Sequence, residues 1–327
     1  MRPLALALSA LVAALFLASL SIGPAGIGPL DGLAALVLGG DGAAPLVMRE
    51  IRLPRALLGV MIGASLGLSG AALQGYLRNP LAEPGLIGVS GSAALGAVLA
   101  IHTGLAAASA LALPLTALAG AGTGVLLILM LAGPRGGAIT LILAGIAISA
   151  LAAALTSLVL NLSPNPYAAS EIVFWMMGSL ADRSMTHVWL ALPLMVLGGM
   201  ALLTLGRGLD ALTLGEDAAE AMGLRLARLR LTLVLGTAAM VGAAVAVAGA
   251  IGFVGLVVPH LLRPLVGARP SRLLWASALG GAAMVLAADL AVRLVLPDRD
   301  LKLGVLTAIV GAPLFLHLIY KTRGGQV

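Results

Sequence analysis

Apolar runs of roughly 20 residues recur along the whole of this 327-residue chain, and that repetition leaves one solvent in which it can fold. The runs cover 4–22, 54–74, 85–101, 105–131, 139–160, 189–205, 231–248, 273–296 and 303–320, with a shorter one ending near Pro259 and His260. A helix rises about 1.5 Å per residue, so roughly 20 residues cross about 30 Å of hydrocarbon. Hydrophobic residues make up 61% of the chain and charged residues 10%, against about 25% charged in soluble domains, and no water-soluble domain of this size could bury that apolar surface. The sequence therefore predicts an all-α polytopic membrane protein of about ten transmembrane helices, forming a single transmembrane domain over 1–327 with both termini cytoplasmic. The first run resembles a signal peptide but is long enough to span, and it reads as an uncleaved first helix.

Other compositional features narrow the chemistry. The 43 glycines point to closely packed membrane helices, and Gly63 and Gly67 form a GxxxG packing pattern. With no cysteine, disulfides, thiol nucleophiles and thiolate metal sites are excluded. The net charge of +6 is carried by residues scattered between apolar runs, which fits membrane orientation and not nucleic acid. With the N-terminus inside, twelve of the 19 basic residues fall on the cytoplasmic side and seven outside, in keeping with the positive-inside bias.

The most informative interruption is 70–91, GAALQGYLRNPLAEPGLIGVSG. Pro80 and Pro84 disfavour helical geometry at Asn79 and Glu83, which should be extended or in turns. Two readings stand for this break, an ordinary loop and a lining of a transport route. Arg49, Arg52 and Arg55 cluster before the second run, with Pro54 suited to a first helical turn. They fit either headgroup anchors or a docking pad for an acidic partner. Pro114 is expected to bend the fourth span. Within 161–187 a polar half precedes IVFWMMGSL, a half-helix too short to cross, with Phe174 and Trp175 at the interface; Met176 and Met177 read as core filler.

The most charged stretch is 207–230. Thr213 and Glu216 have the spacing of a capping box, acidic residues crowd the first turn, and Gly223 suits a C-terminal cap. A short helix outside the bilayer results. Apolar Leu214, Ala218, Ala221, Met222 and Leu224 among its charges fit a helix that docks into a groove. Asp289 lies within a span, where an acid costs about 2.5–3.5 kcal/mol at the helix centre. Arg293, four residues on, supplies a structural partner. His260 reads as a structural residue with no second ligand nearby. No phosphate-binding loop, HExxH helix or G-x-S-x-G elbow occurs, so the chain is not expected to be an enzyme, to hydrolyse ATP itself or to hold a cofactor.

The words of the 70–91 stretch, together with WMMGSL, LTLGEDAAEAMGL, GAIGFVGLVVPHLLR and GVLTAIVGAPLFL, resemble the FecCD-type permeases, the membrane subunits of ATP-binding-cassette importers for iron-siderophores, haem and cobalamin. The resemblance spans nearly the whole chain. It implies a homodimer in the inner membrane, a cytoplasmic ATPase dimer and a substrate-binding protein on the outer face. It also implies an ATPase-coupling helix carried by Leu214, Gly215, Glu216, Asp217, Ala218, Glu220, Ala221, Met222, Gly223 and Leu224. Arg52, Arg55 and Arg293 inherit binding-protein docking, and Asn79 and Leu81 a cytoplasmic gate whose opposing wall falls near Ala138 and Ile139. The fifth and tenth helices are expected to line the path. Iron-siderophore is the default cargo, with WMMG pointing towards cobalamin and haem left open.

Overall fold

The computed structural model describes residues 2–23, 25–40, 42–133, 136–163, 165–295 and 301–324. Asp41, Pro134, Arg135, Pro164 and residues 296–300 lie outside the described residues. In chain order the helices are α1 (Arg2–Ser21), α2 (Pro29–Leu38), α3 (Ala43–Val47), α4 (Leu53–Leu77), α5 (Val89–His102), α6 (Leu105–Ala108), α7 (Ala112–Ala132) and α8 (Ala138–Asn161). They continue with α9 (Pro166–Met176), α10 (Met185–Thr204), α11 (Gly206–Leu212), α12 (Glu216–Ala221), α13 (Leu226–Ala248), α14 (Val254–Leu262), α15 (Pro270–Val295) and α16 (Leu303–Gly324). No strand occurs among the described residues.

Seven of these helical stretches are long and apolar enough to cross a membrane: α1, the continuous stretch Ala43–Leu77, α7, α8, α10, α13 and α15. Val89–His102 and Leu303–Leu316 are shorter apolar helices. Pro54 sits in the first turn of α4, as expected. The fourth run does not bend at Pro114. It breaks at 109–111, and Pro114 falls in the first turn of α7, where a proline loses no hydrogen bond. The half-helix α9 starts earlier than expected, because Asn165 caps it by accepting the Tyr167 N–H at 2.9 Å and Pro166 takes the first position. Phe174 is exposed, whereas Trp175 turns inward against Ala97, Ala117 and Ala246.

The centre of the molecule is α4, buried along most of its length, with α15 packed along it. Glycine permits this approach. A Cβ at Gly63 would overlap the Gly281 carbonyl, and one at Gly67 would overlap that of Ser277. The GxxxG pattern is therefore a packing face, as the sequence indicated. Similar contacts join α5 to α7, where Gly96 meets Thr116 and Gly120 meets Ser92, and α10 to α13, where Gly198 meets Gly236. Close backbone approach matters because apolar side chains gain little from leaving lipid; dispersion at short range holds such helices together.

Gly67→Ala is expected to lower the unfolding temperature of the purified protein, since overpacking costs about 1–3 kcal/mol and here the obstacle is backbone. Gly122→Ala on exposed α7, where nothing lies within 4 Å, should leave stability unchanged or raised. Thermal unfolding in detergent distinguishes the two.

Candidate functional site

Three clusters of polar groups interrupt the apolar bundle, and each is built by a break or an end of a helix. The first joins two broken segments. After α4 the chain takes a left-handed turn at Arg78 (φ 49°), and Asn79 Oδ1 accepts the Leu81 N–H at 2.9 Å. Glu83 is extended (φ −122°, ψ 147°), and Pro84–Ile87 form a 3-10 turn that packs on α8, where a Cβ at Gly145 would meet the Leu86 carbonyl. Both pre-proline residues are non-helical, as expected.

This is not an ordinary surface loop. Glu83 Oε1 accepts the backbone N–H of Phe253 at 2.8 Å, just before α14, where Phe253 holds φ 67°. Gly255 packs against Leu66 and Pro84, so the two breaks meet beside the middle turns of α4. Gly70 lies seven residues, about 10 Å, inside the end of α4. Buried Gln74 ties the same region together. Its Nε2 donates to the carbonyls of Ala82 and Leu256 at 3.3 Å, and its Oε1 accepts from Arg263 Nη2 at 2.7 Å. Irregular backbone survives inside a bilayer only when protein satisfies it, and facing breaks of this kind line substrate paths in transporters. Asn79 and Leu81 lie on the water-side lip, exposed and half-buried.

The second cluster surrounds Asp289, which is buried on α15. Arg55 grips it with two donors, Nε and Nη2, at 3.0 and 2.8 Å to Oδ1, and Arg293 Nη2 reaches Oδ2 at 2.6 Å. The Asp289–Arg293 pair read from helical spacing is present; Arg55, 234 positions away, is a partner that spacing cannot reveal. Other donors of Arg293 and Arg52 cap α1. Arg293 Nη1 donates to the Ser19 and Ile22 carbonyls at 3.0 and 2.9 Å, and Arg52 Nη1 to those of Leu20 and Ser21 at 2.8 and 3.0 Å. Cations there meet the orphan carbonyls and the negative end of the helix dipole. Arg52 is consequently only 3% exposed, while the Arg55 side chain retains 19%.

The third cluster is α11–α12. Asp210 fastens it to the start of α15 through Arg269 Nε at 2.7 Å and the Ser271 N–H at 2.8 Å. Burial would push the Asp210 carboxyl up, but the Ser271 and Arg269 donors outweigh it and hold the carboxyl below its usual range. The expected capping box does not form. Thr213 donates instead to the Asp210 carbonyl at 2.7 Å, and Gly215 (φ 106°) is the residue before α12, placing Glu216 and Asp217 in the first turn. At the other end Gly223 (φ 84°) closes the helix as expected, with Leu224 N–H returning to the Ala219 carbonyl at 3.0 Å. Ala219 faces the core and Ala218 and Leu224 are half-buried, so the outward apolar groups are Leu214 (69% exposed), Ala221 and Met222 (58%). Beneath α12 a polar pocket of about 350 Å³ is lined by Tyr76, Glu216, Glu220 and Arg230. Among the described residues no group of three or more metal-ligating side chains occurs.

The second and third clusters lie at opposite ends of α4. Arg55 to Tyr76 spans 21 residues, about 32 Å, one hydrocarbon thickness. Comparison with known proteins agrees with this membrane frame. Residues 11–321 match the FecCD transport family. The chain belongs to that family. The Fe(3+) dicitrate transport system permease protein FecD of Escherichia coli is 41% identical over 277 residues, covering 85% of this chain and 86% of FecD. The cobalamin import system permease protein BtuC of Halobacterium salinarum is 39% identical over 287 residues, covering 88% of this chain and 76% of BtuC. A solved structure described as an inward-facing conformation of a metal-chelate type ABC transporter matches with a TM-score of 0.87 at 34% identity, over 98% of this chain and all of its own. As a FecCD family member this is a multi-pass permease of the inner membrane.

Gln74 and Glu83 were not singled out as site residues by sequence, and Arg55 was expected to receive the binding protein, not to pair with Asp289. Gln74 had a signal, a long polar side chain within an apolar run, and Glu83 stood between two prolines; Arg55 on Asp289 had none. Asp289→Asn is expected to cost about 3–5 kcal/mol, because it strands two inward arginines. Arg55→Gln should cost less, since Arg293 still neutralises the acid. Thermal unfolding in detergent orders the two. The Asp210 link, whose folded pKa is depressed, should be intact at neutral pH and lost as pH falls through the folded value, which lies below that of an ordinary carboxylate. Hydrogen exchange in α11 across that range reports it.

Proposed function

We propose that this chain is the membrane-spanning permease subunit of an ATP-driven importer, working as a homodimer with a cytoplasmic ATPase dimer and an outer substrate-binding protein. The observation that carries the reading is α12, a short helix outside the long apolar helices whose exposed carboxylates Glu216, Asp217 and Glu220 are flanked by the exposed apolar Leu214, Ala221 and Met222. A solvated connector has no use for that mixture, whereas a helix seated in a partner's groove does. Its proximity to Tyr76, near the end of α4 and two residues before Arg78, gives a push at α12 a short route to the 78–88 break and to Asn79 and Leu81.

Ten crossings follow if the shorter helices α5, α14 and α16 also traverse the membrane beside the seven long spans. The outward apolar faces of α8, with Ile139, Leu143 and Ile146, and of α16, with Ile309, Val310 and Leu314, are available for a second protomer and a central path. Of the three arginines expected to receive the binding protein, Arg55 keeps the freest side chain. Arg52 and Arg293 are held by α1, so their replacement would act chiefly through the fold.

The cargo is assigned as an iron-siderophore or related metal chelate, in line with the relative named for Fe(3+) dicitrate. A cobalamin cargo is the second reading, supported by relatives named for cobalamin import at 39–40% identity. A secondary transporter is disfavoured because the buried acid Asp289 is already neutralised by two arginines.

Replacing Ala218 or Met222 with Glu is expected to abolish ATP-dependent uptake while the protein remains in the membrane, with loss of ATPase co-purification. Retained co-purification and uptake would remove the coupling role of α12. Uptake of labelled ferric siderophore against labelled cobalamin in the same vesicles separates the two cargo readings.

A further inference from the structure

A second pocket, of about 430 Å³, opens beside α12 where α10 ends and α13 begins. Arg225 and Arg228 line its mouth, with Thr204 and Thr232 at its sides. Both arginines are exposed and have no ion pair or hydrogen bond among the described residues. Elsewhere on this chain Arg52, Arg55, Arg263, Arg269 and Arg293 are engaged with carbonyls, carboxylates or Gln74.

The register of the two helices continues the pocket along the bundle. Arg225, Arg228 and Thr232 share one face of α13 at helical spacing, and Leu235, exposed, is the next residue on that face. On α10, Met200 lies one turn before Thr204 and is likewise exposed. Gly198 and Gly236 bring the two backbones together. A basic mouth at the end of two long apolar helices is thus followed, on each of them, by an exposed apolar residue.

We propose that this pocket binds the head group of an anionic phospholipid, its phosphate on Arg225 and Arg228 and the Thr232 hydroxyl, with an acyl chain along Leu235 and Met200. Charge complementarity selects an anion, and the furrow proposed between the exposed Leu235 and Met200 selects a lipid over a soluble one. A soluble protein partner could cover the mouth but could not follow a furrow into hydrocarbon. Because Gly223 and Leu224 also border the pocket, a bound lipid would touch the end of α12 and couple membrane composition to its position.

The test is native mass spectrometry of the delipidated permease titrated with phosphatidylglycerol or phosphatidylcholine. Wild type should retain phosphatidylglycerol preferentially. Each arginine near an anionic head group contributes roughly a five-fold factor, so Arg225→Gln with Arg228→Gln should weaken retention about 30-fold. Arg272→Gln, outside the pocket, should leave it unchanged. Leu235→Glu keeps both arginines but spoils the furrow, and it should weaken retention as well, which keeps the proposal testable if the double variant unfolds. Equal retention of the two lipids would overturn the proposal. So would displacement of phosphatidylglycerol by an equal concentration of inorganic phosphate, which would mark a simple anion site. Unchanged lipid retention with loss of ATPase co-purification in the double variant would assign the arginines to a protein contact and overturn it too.

Discussion

The α4–α15 seam is the constraint on which the rest of the structure depends. Gly63 and Gly67 on one helix, and Ser277 and Gly281 on the other, bring the backbones so close that no side chain fits between them. One end of the seam is fastened by Arg55 and Arg293 on Asp289. At the other, Gln74 on Arg263 ties α4 to the chain that leads into α15. Two ionic or polar clasps about 30 Å apart thereby fix both register and rotation of the pair. A buried charge pair is weak evidence for net stability, but removing one member is costly, which makes such a clasp an effective lock on register.

The three polar clusters are arranged around that seam as breaks and ends. The two interrupted segments meet each other beside α4, with Glu83 satisfying the Phe253 N–H. The helix α1 is held by arginines on its terminal carbonyls, and α12 hangs from α15 by Asp210. A rigid pair with irregular, individually satisfied segments beside it can change the segments without unpacking the pair. Glycine serves this at Gly178 and Gly304, where the turn after α9, the 249–252 turn and the start of α16 meet through backbone alone. The WMMGSL motif is thus a junction more than a ligand surface.

The helices and the family were legible because hydrocarbon imposes length and composition on each crossing, and because the 70–91 words are specific. The Asp289–Arg293 pair was legible because helical spacing is local. Arg55 on Asp289, Arg52 on the end of α1 and Glu83 on Phe253 were not, since each joins residues far apart in sequence and no periodicity encodes which helices become neighbours. The capping box failed for a related reason: the Thr213 hydroxyl donates back to the Asp210 carbonyl, and Gly215, free to adopt φ 106°, takes the N-cap position before α12. Trp175 went inward, not to the interface, because the small residues Ala97, Ala117 and Ala246 leave room for its ring.

In the proposed coupling, motion at α12 reaches the 78–88 break while the α4–α15 seam stays fixed. The direct measurement is hydrogen–deuterium exchange of the permease in lipid nanodiscs with the proposed ATPase partner, compared with and without a bound ATP analogue. Altered exchange is expected at 214–224 and at 78–88 together, with 55–70 and 277–293 equally protected in both states. Exchange that changes at 214–224 but not at 78–88, or that rises along the seam, would contradict it.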